Sequence, residues 1–220
     1  MNIHSVRQLT IAALVGLLTL PMMNSTGWAG GIVTGDPTLP PDGDYVSPHE
    51  FHEYSAAGII LDNPIHRPLK DTATRTPSGA DEIEEFDSVF DATVVGLGPM
   101  QLTGPVTVIA RNKVGHETGT FETEIVSMSL QGITPSGLVQ IREDPSRAST
   151  GSTDIIDIGG GLYHIDSFFD VYTELSLDGG NSWVASDSST HMFLVPEPNT
   201  VTLLVTVGLL ACPWRRERST

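Results

Sequence analysis

Tyr163-His164-Ile165-Asp166-Ser167-Phe168-Phe169-Asp170-Val171-Tyr172-Thr173-Glu174-Leu175-Ser176-Leu177 is the stretch that decides the fold class. Tyr163, Ile165, Phe169, Val171, Leu175 and Leu177 share one parity, and His164, Asp166, Asp170, Glu174 and Ser176 share the other. A strand points successive side chains to opposite faces, so period two over this length predicts a half-buried strand. The same alternation runs through Phe86, Ser88, Phe90, Ala92 and Val94, against Asp87, Asp91 and Thr93. It returns in Met100, Leu102, Val106 and Val108, and again in Val126, Met128 and Leu130. Ile125-Val126 is out of step there, as a bulge would place it.

No helical stripe of useful length interrupts residues 86–194. Gly96-Leu97-Gly98, Gly132, Gly137, Gly159-Gly160-Gly161 and Gly179-Gly180 punctuate the alternating runs. Short strands with such punctuation predict an all-β fold, a single jelly-roll-like β-sandwich over 86–194. Residues 30–85 read as a Pro-rich segment of extended chain, with prolines at 37, 40, 41, 48, 64, 68 and 77 and an early strand at Ala56–Leu61.

The two ends read as addresses. Residues 1–29 fit a secretory signal peptide: Arg7, the uncharged run Leu9–Leu20, the break at Pro21, then Gly27-Trp28-Ala29 in small-x-small order. At residues 195–220, Val195-Pro196-Glu197-Pro198 precedes the apolar run Val201–Cys212, Pro213, Trp214 and a cluster of Arg215, Arg216 and Arg218. The run is expected to form a short hydrophobic transmembrane helix with a basic stop. As helix it measures roughly 18 Å against a ~30 Å bilayer core, which suits a transient anchor.

This order of parts resembles the PEP-CTERM sorting domain of Gram-negative bacteria, carried by Pro196, Glu197, Pro198, Arg215, Arg216 and Arg218. The resemblance implies export by signal peptidase and an exosortase, transient membrane anchoring, and delivery to the cell surface or extracellular matrix. Thr120-Phe121-Glu122-Thr123-Glu124-Ile125, Ile141-Arg142-Glu143-Asp144 and the run from Ile165 to Gly180 look like secreted β proteins of planctomycete-type bacteria that end in such signals. That second likeness implies no activity.

Charge narrows the partners. The chain carries 11 basic and 27 acidic residues, a net charge of −16. Without both addresses, seven cations face 25 acids and no cysteine remains. Nucleic acid is excluded as a partner, because phosphate binding needs basic patches. Thiol chemistry and thiolate metal sites are excluded with it.

Ser176-Leu177-Asp178-Gly179-Gly180-Asn181-Ser182-Trp183 fits the Asp-box pattern, in which Asp caps a tight turn, Gly permits the backbone angle and Trp packs beneath. Ser176, Asp178, Gly180 and Trp183 are therefore expected to build a structural hairpin. His49, His52 and His66 are weak metal candidates, without the His-Glu-x-x-His spacing of zinc hydrolases. Asp154 and Asp157, beside a glycine run, are weak candidates for calcium, which takes oxygen ligands. No cofactor is otherwise expected. Phe168 and Tyr172 lie opposite the apolar parity, either under the Pro-rich segment or as a sugar-stacking patch.

The reading that follows is an exported, non-enzymatic structural or adhesive β protein, with extracellular polysaccharide as the candidate partner. The alternatives are a secreted carbohydrate-active hydrolase and a calcium-dependent carbohydrate-binding module.

Overall fold

The computed structural model describes residues 31–47, 51–134 and 137–196. Its strands are β1 (Ile32–Thr34), β2 (Asp44–Val46), β3 (His52–Tyr54), β4 (Ile59–Pro68), β5 (Thr74–Ser78), β6 (Asp81–Val94), β7 (Gly98–Ala110), β8 (Gly119–Thr134), β9 (Gly137–Glu143), β10 (Ser149–Gly159), β11 (Leu162–Val171), β12 (Thr173–Ser176), β13 (Val184–Ala185) and β14 (Thr190–Val195). Among the described residues, eight of them close into a barrel in the order β2-β4-β6-β7-β8-β10-β11-β14, with β14 back on β2. Every neighbouring pair is antiparallel.

This corrects the expected jelly-roll sandwich. A jelly roll needs Greek-key crossings between two sheets, whereas each stave here neighbours the next one along the chain. Alternation did not separate the two folds, because a barrel wall and a sandwich layer each bury one face. The Pro-rich segment is part of the ring, since β2 and β4 are two of its staves. The run Val201–Cys212, expected as a C-terminal helix, lies outside the described residues. No helix among them is long and apolar enough to cross a membrane. The signal peptide, His49, Glu197, Pro198 and the Arg cluster lie outside the described residues.

Several staves are built in two pieces. β9 and β10 both pair with β8, β12 continues β11, and β2 and β3 both pair with β4. At the break, Asp144 N–H donates to Tyr172 O at 3.1 Å, and Tyr172 N–H donates to Ser149 Oγ at 2.9 Å. A side-chain hydroxyl thus completes the ladder where the backbone leaves it. Asp187 N–H donates to Glu53 O at 2.8 Å, closing the ring beside β3.

The curvature has visible causes. In β8, Ser127 pairs with Thr107 and Ile125 with Val108, so Val126 is the extra residue of a bulge, as its parity predicted. A second irregularity separates Asp62 from Ile65 in β4, where Asn63 has φ 50°. Bulges add local twist, and twist is what lets a sheet curl onto itself.

Most of the inward set follows the alternation: Phe86, Phe90, Leu102, Val106, Leu130, Ile165, Phe169 and Leu175 are buried, but Val126 and Leu177 are exposed and Tyr163 is half-buried. His164 and Ser176 break the parity and are buried as well. β1 pairs beside His164, and Ser176 is enclosed by its own hairpin. Early in the chain, Ser55–Ala57 is a single 3-10 turn ended by left-handed Gly58, so the predicted strand over Ala56–Leu61 starts at Ile59.

One barrel end is filled by chain. Leu39, Pro40 and Pro41 are buried and line the interior with Tyr45, Phe86 and Phe169. Cations hold this plug. Arg75 Nε donates to Leu39 O, Lys70 Nζ donates to Thr38 O at 2.9 Å, and Arg67 Nε donates to Asp44 Oδ1 at 2.9 Å.

Candidate functional site

The Asp-box residues meet in one hairpin at the end of β12. Ser176 Oγ donates to Asp178 Oδ1 at 2.8 Å and accepts from Gly180 N–H at 2.8 Å. Ser182 donates twice to Asp178, through N–H at 2.9 Å to Oδ1 and through Oγ at 2.6 Å to Oδ2. Gly179 and Gly180 take φ of 72° and 88°, which L side chains avoid. Trp183 Nε1 donates to Gly180 O at 3.1 Å, and the Arg142 guanidinium stacks 4.0 Å from the Trp183 ring centroid. Both carboxylate oxygens of Asp178 are spent on the turn.

The Ser182 bonds lead the causes that hold the Asp178 carboxyl down at about 2. Its contribution to stability is therefore complete above its ordinary value and is lost as the pH falls through about 2. Asp178→Ala is expected to lower the melting temperature by a few degrees at pH 7. Thermal unfolding followed by circular dichroism checks this, and an unchanged midpoint would remove the capping role.

His52 and His66 come together around Phe90, with ring centroids 6.0 Å and 4.6 Å from it. His52 Nδ1 lies 3.0 Å from Thr190 Oγ1 and 3.5 Å from Thr173 Oγ1, and Thr173 Oγ1 lies 2.6 Å from Tyr54 Oη. Burial pushes His52 down to about 4. Burial, with His52 nearby, pushes His66 down to about 3. Both rings are neutral at physiological pH and pack as part of the wall.

Asp154 accepts from Thr120 Oγ1 at 2.9 Å, and Asp157 accepts from Gly159 N–H at 2.7 Å, capping the β10–β11 turn. Among the described residues, no three His, Cys, Asp or Glu side chains gather as a metal would need. Pro196, the described residue of the sorting tripeptide, is exposed directly after β14.

Two features escaped the sequence reading. The first is Glu84, 2% exposed inside the barrel beneath the plug, with Oε1 unpartnered and Thr123 Oγ1 also unpartnered. They line a cavity of about 30 Å3 with Pro40, Pro41 and Thr153. Burial first, then the Glu82 charge, pushes the Glu84 carboxyl up to about 8. The parity of Phe86, Ser88 and Phe90 extends back to Glu84, so the signal was present among the acids of residues 81–87.

The second feature is an aromatic strip on the outer wall, of which the sequence points to Phe168 but not to Phe193 or His191. Phe168 and Phe193 are register partners across β11 and β14, as are Asp170 and His191. The His191 ring lies 5.1 Å from Phe168 and 6.5 Å from Phe193, and its Nδ1 is 2.8 Å from Asp170 Oδ1. Phe168 and Phe193 are half-buried, with Ser152 beside Phe168 and Thr150 beside Asp170 on β10, and Val46 beside Phe193 on β2. Tyr172 does not extend the strip, because the Arg147 guanidinium stacks 4.5 Å from its ring centroid.

No family model, curated protein or solved structure matches the chain. The functional reading therefore rests on these sites and on the sequence.

Proposed function

We propose that the chain is an exported, non-catalytic surface protein whose barrel adheres to neutral polysaccharide through the Phe168–His191–Phe193 strip. The strip carries the reading. Apolar faces of sugar rings pack on aromatic faces, and the Asp170–His191 pair with Thr150 and Ser152 supplies hydrogen-bonding groups for hydroxyls. A net charge of −16 disfavours acidic polymers.

Export is supported by the leader at 1–29 and by the likeness of 195–220 to an exosortase-sorted tail. Both imply secretion to the surface or matrix of a Gram-negative bacterium through a transient membrane stage. The non-catalytic part is supported by Glu84. This carboxyl is protonated at neutral pH, but its cavity of about 30 Å3 admits a water and not a sugar.

Affinity electrophoresis of the purified chain through gels containing neutral glucans tests the proposal. Retardation is expected, and the double variant Phe168→Ala/Phe193→Ala, folded by circular dichroism, is expected to bind at least about tenfold more weakly, since a few aromatic anchors dominate such contacts. Equal retardation of the variant would sink the strip. Release of reducing ends from the same glucans would replace adhesion with hydrolysis.

A further inference from the structure

The two barrel ends are built differently. Where β6 begins, Leu39, Pro40 and Pro41 occupy the interior. Where β6 ends, the β6–β7 hairpin, the paired ends of β8 and β9, the start of β4 and the exit of β12 surround a recess of about 320 Å3. Its floor is Leu61, Val94, Met100, Val139 and Leu175, all of them members of the buried core. Its rim includes Leu97 and Leu177, 69% and 50% exposed. None of the residues lining it is ionisable.

From this recess we infer that the open end of the barrel is a binding site for a small, neutral, apolar molecule. The volume corresponds to roughly ten waters at about 30 Å3 each. Water against such walls finds few hydrogen-bond partners, so an apolar ligand gains by displacing it. The size falls at the small end of ligand sites, which run from about 300 to 1,000 Å3. An eight-stranded up-and-down barrel is the width at which the interior holds either side chains or one small ligand. This one does the former along most of its length and the latter at its mouth.

Charge selects the ligand class. A charged group entering the recess would lose its hydration and meet no counter-ion. Anions are further repelled by a chain of net charge −16. A neutral alcohol or hydrocarbon fits, and the carboxylate of the same length does not.

Shape and position select a small molecule over a protein segment. The recess sinks into the core instead of lying along a groove. The described chain leaves β14 at the other end, where Val195 pairs with Asp44 near the plug. The site is independent of the outer aromatic strip.

Titration of the purified full-length chain with N-phenyl-1-naphthylamine, a neutral apolar fluorophore, tests the inference. Saturable binding of one probe per chain is expected. Decanol should displace it at least about tenfold more effectively than decanoate, given the field and desolvation arguments. Leu97→Glu and Leu177→Glu place charge on exposed rim positions, so the fold is kept, and each is expected to weaken probe binding at least about tenfold. Leu97→Met should bind as the parent does. Absence of saturable binding, or glutamate variants that bind like the parent, would overturn the site. Equal displacement by decanol and decanoate would overturn its preference for neutral ligands. A parent dimer that takes up no probe, and that the glutamate variants convert to monomer, would overturn it in favour of an interface between copies.

Discussion

Glu84→Gln is expected to make the protein more stable at pH 8–9 and to leave it nearly unchanged near pH 4.5. Glu84 is buried with one oxygen unpartnered, and its carboxyl is pushed up to about 8 from an ordinary 4.5. Between those values the folded state holds a proton that the unfolded state has released. The unfolded state then binds fewer protons, so stability falls as the pH rises through this window and levels off above about 8. Arg75, Lys113 and Lys70 pull the carboxyl down, but burial and Glu82 outweigh them. Gln keeps the shape of the neutral acid and has no proton to lose. The difference between variant and parent should grow across the window to the order of a few kcal/mol. Urea unfolding at pH 4.5, 7 and 9 measures it as a shift in midpoint. A pH-independent difference would mean that Glu84 is ionised, or solvated, in the fold.

Gly104→Ala is expected to destabilise the barrel by about 3 kcal/mol, lowering the melting temperature by roughly 10 °C. A Cβ at Gly104 would lie 2.0 Å from Ser129 O and 3.1 Å from the Ser129 carbonyl carbon. That neighbour is backbone of β8, so no side chain can swing away. Gly104 shares the parity of inward Leu102 and Val106, and the close approach is where β7 coils tightly against β8. Gly151→Ala should behave alike, since its Cβ would lie 2.0 Å from Phe168 O. Gly35→Ala is the control, because its nearest neighbour is 3.8 Å away. Differential scanning calorimetry of the three variants should place Gly104→Ala and Gly151→Ala far below the parent and Gly35→Ala close to it. Equal midpoints for all three would deny that glycine contacts set the curvature.

Glu84 also shows how the candidate sites related to the sequence. Its inward parity is legible two residues before Phe86, yet Asp81, Glu82, Glu85 and Asp87 crowd around it in the sequence. Charge is a strong prior for exposure, and only the plug of Leu39–Pro41 over the barrel end overrides it here. The Asp-box was readable in full, because all its bonds span at most a few residues. The pairing of Phe168 with Phe193 was not, since they stand 25 positions apart and meet only through the β11–β14 register. The open mouth was equally hidden. Leu61, Met100, Val139 and Leu175 each look like ordinary core residues, and only the ends of separate hairpins leave space between them.

The sequence by itself determined that residues 86–194 are made of strands, which face is apolar in the runs at 86–94, 100–108 and 165–175, where β8 bulges, and how the Ser176–Trp183 turn is tied. These are local properties, set by side-chain parity and by short-range hydrogen bonds. Only the tertiary structure decided that the strands form one closed meander instead of two packed sheets. Closure depends on accumulated twist, on register between distant strands, and on glycines such as Gly104 and Gly151 that let backbones approach. Those quantities sum over the whole ring, so no single stretch of sequence carries them. The ring in turn left one end filled by Leu39–Pro41 and the other open.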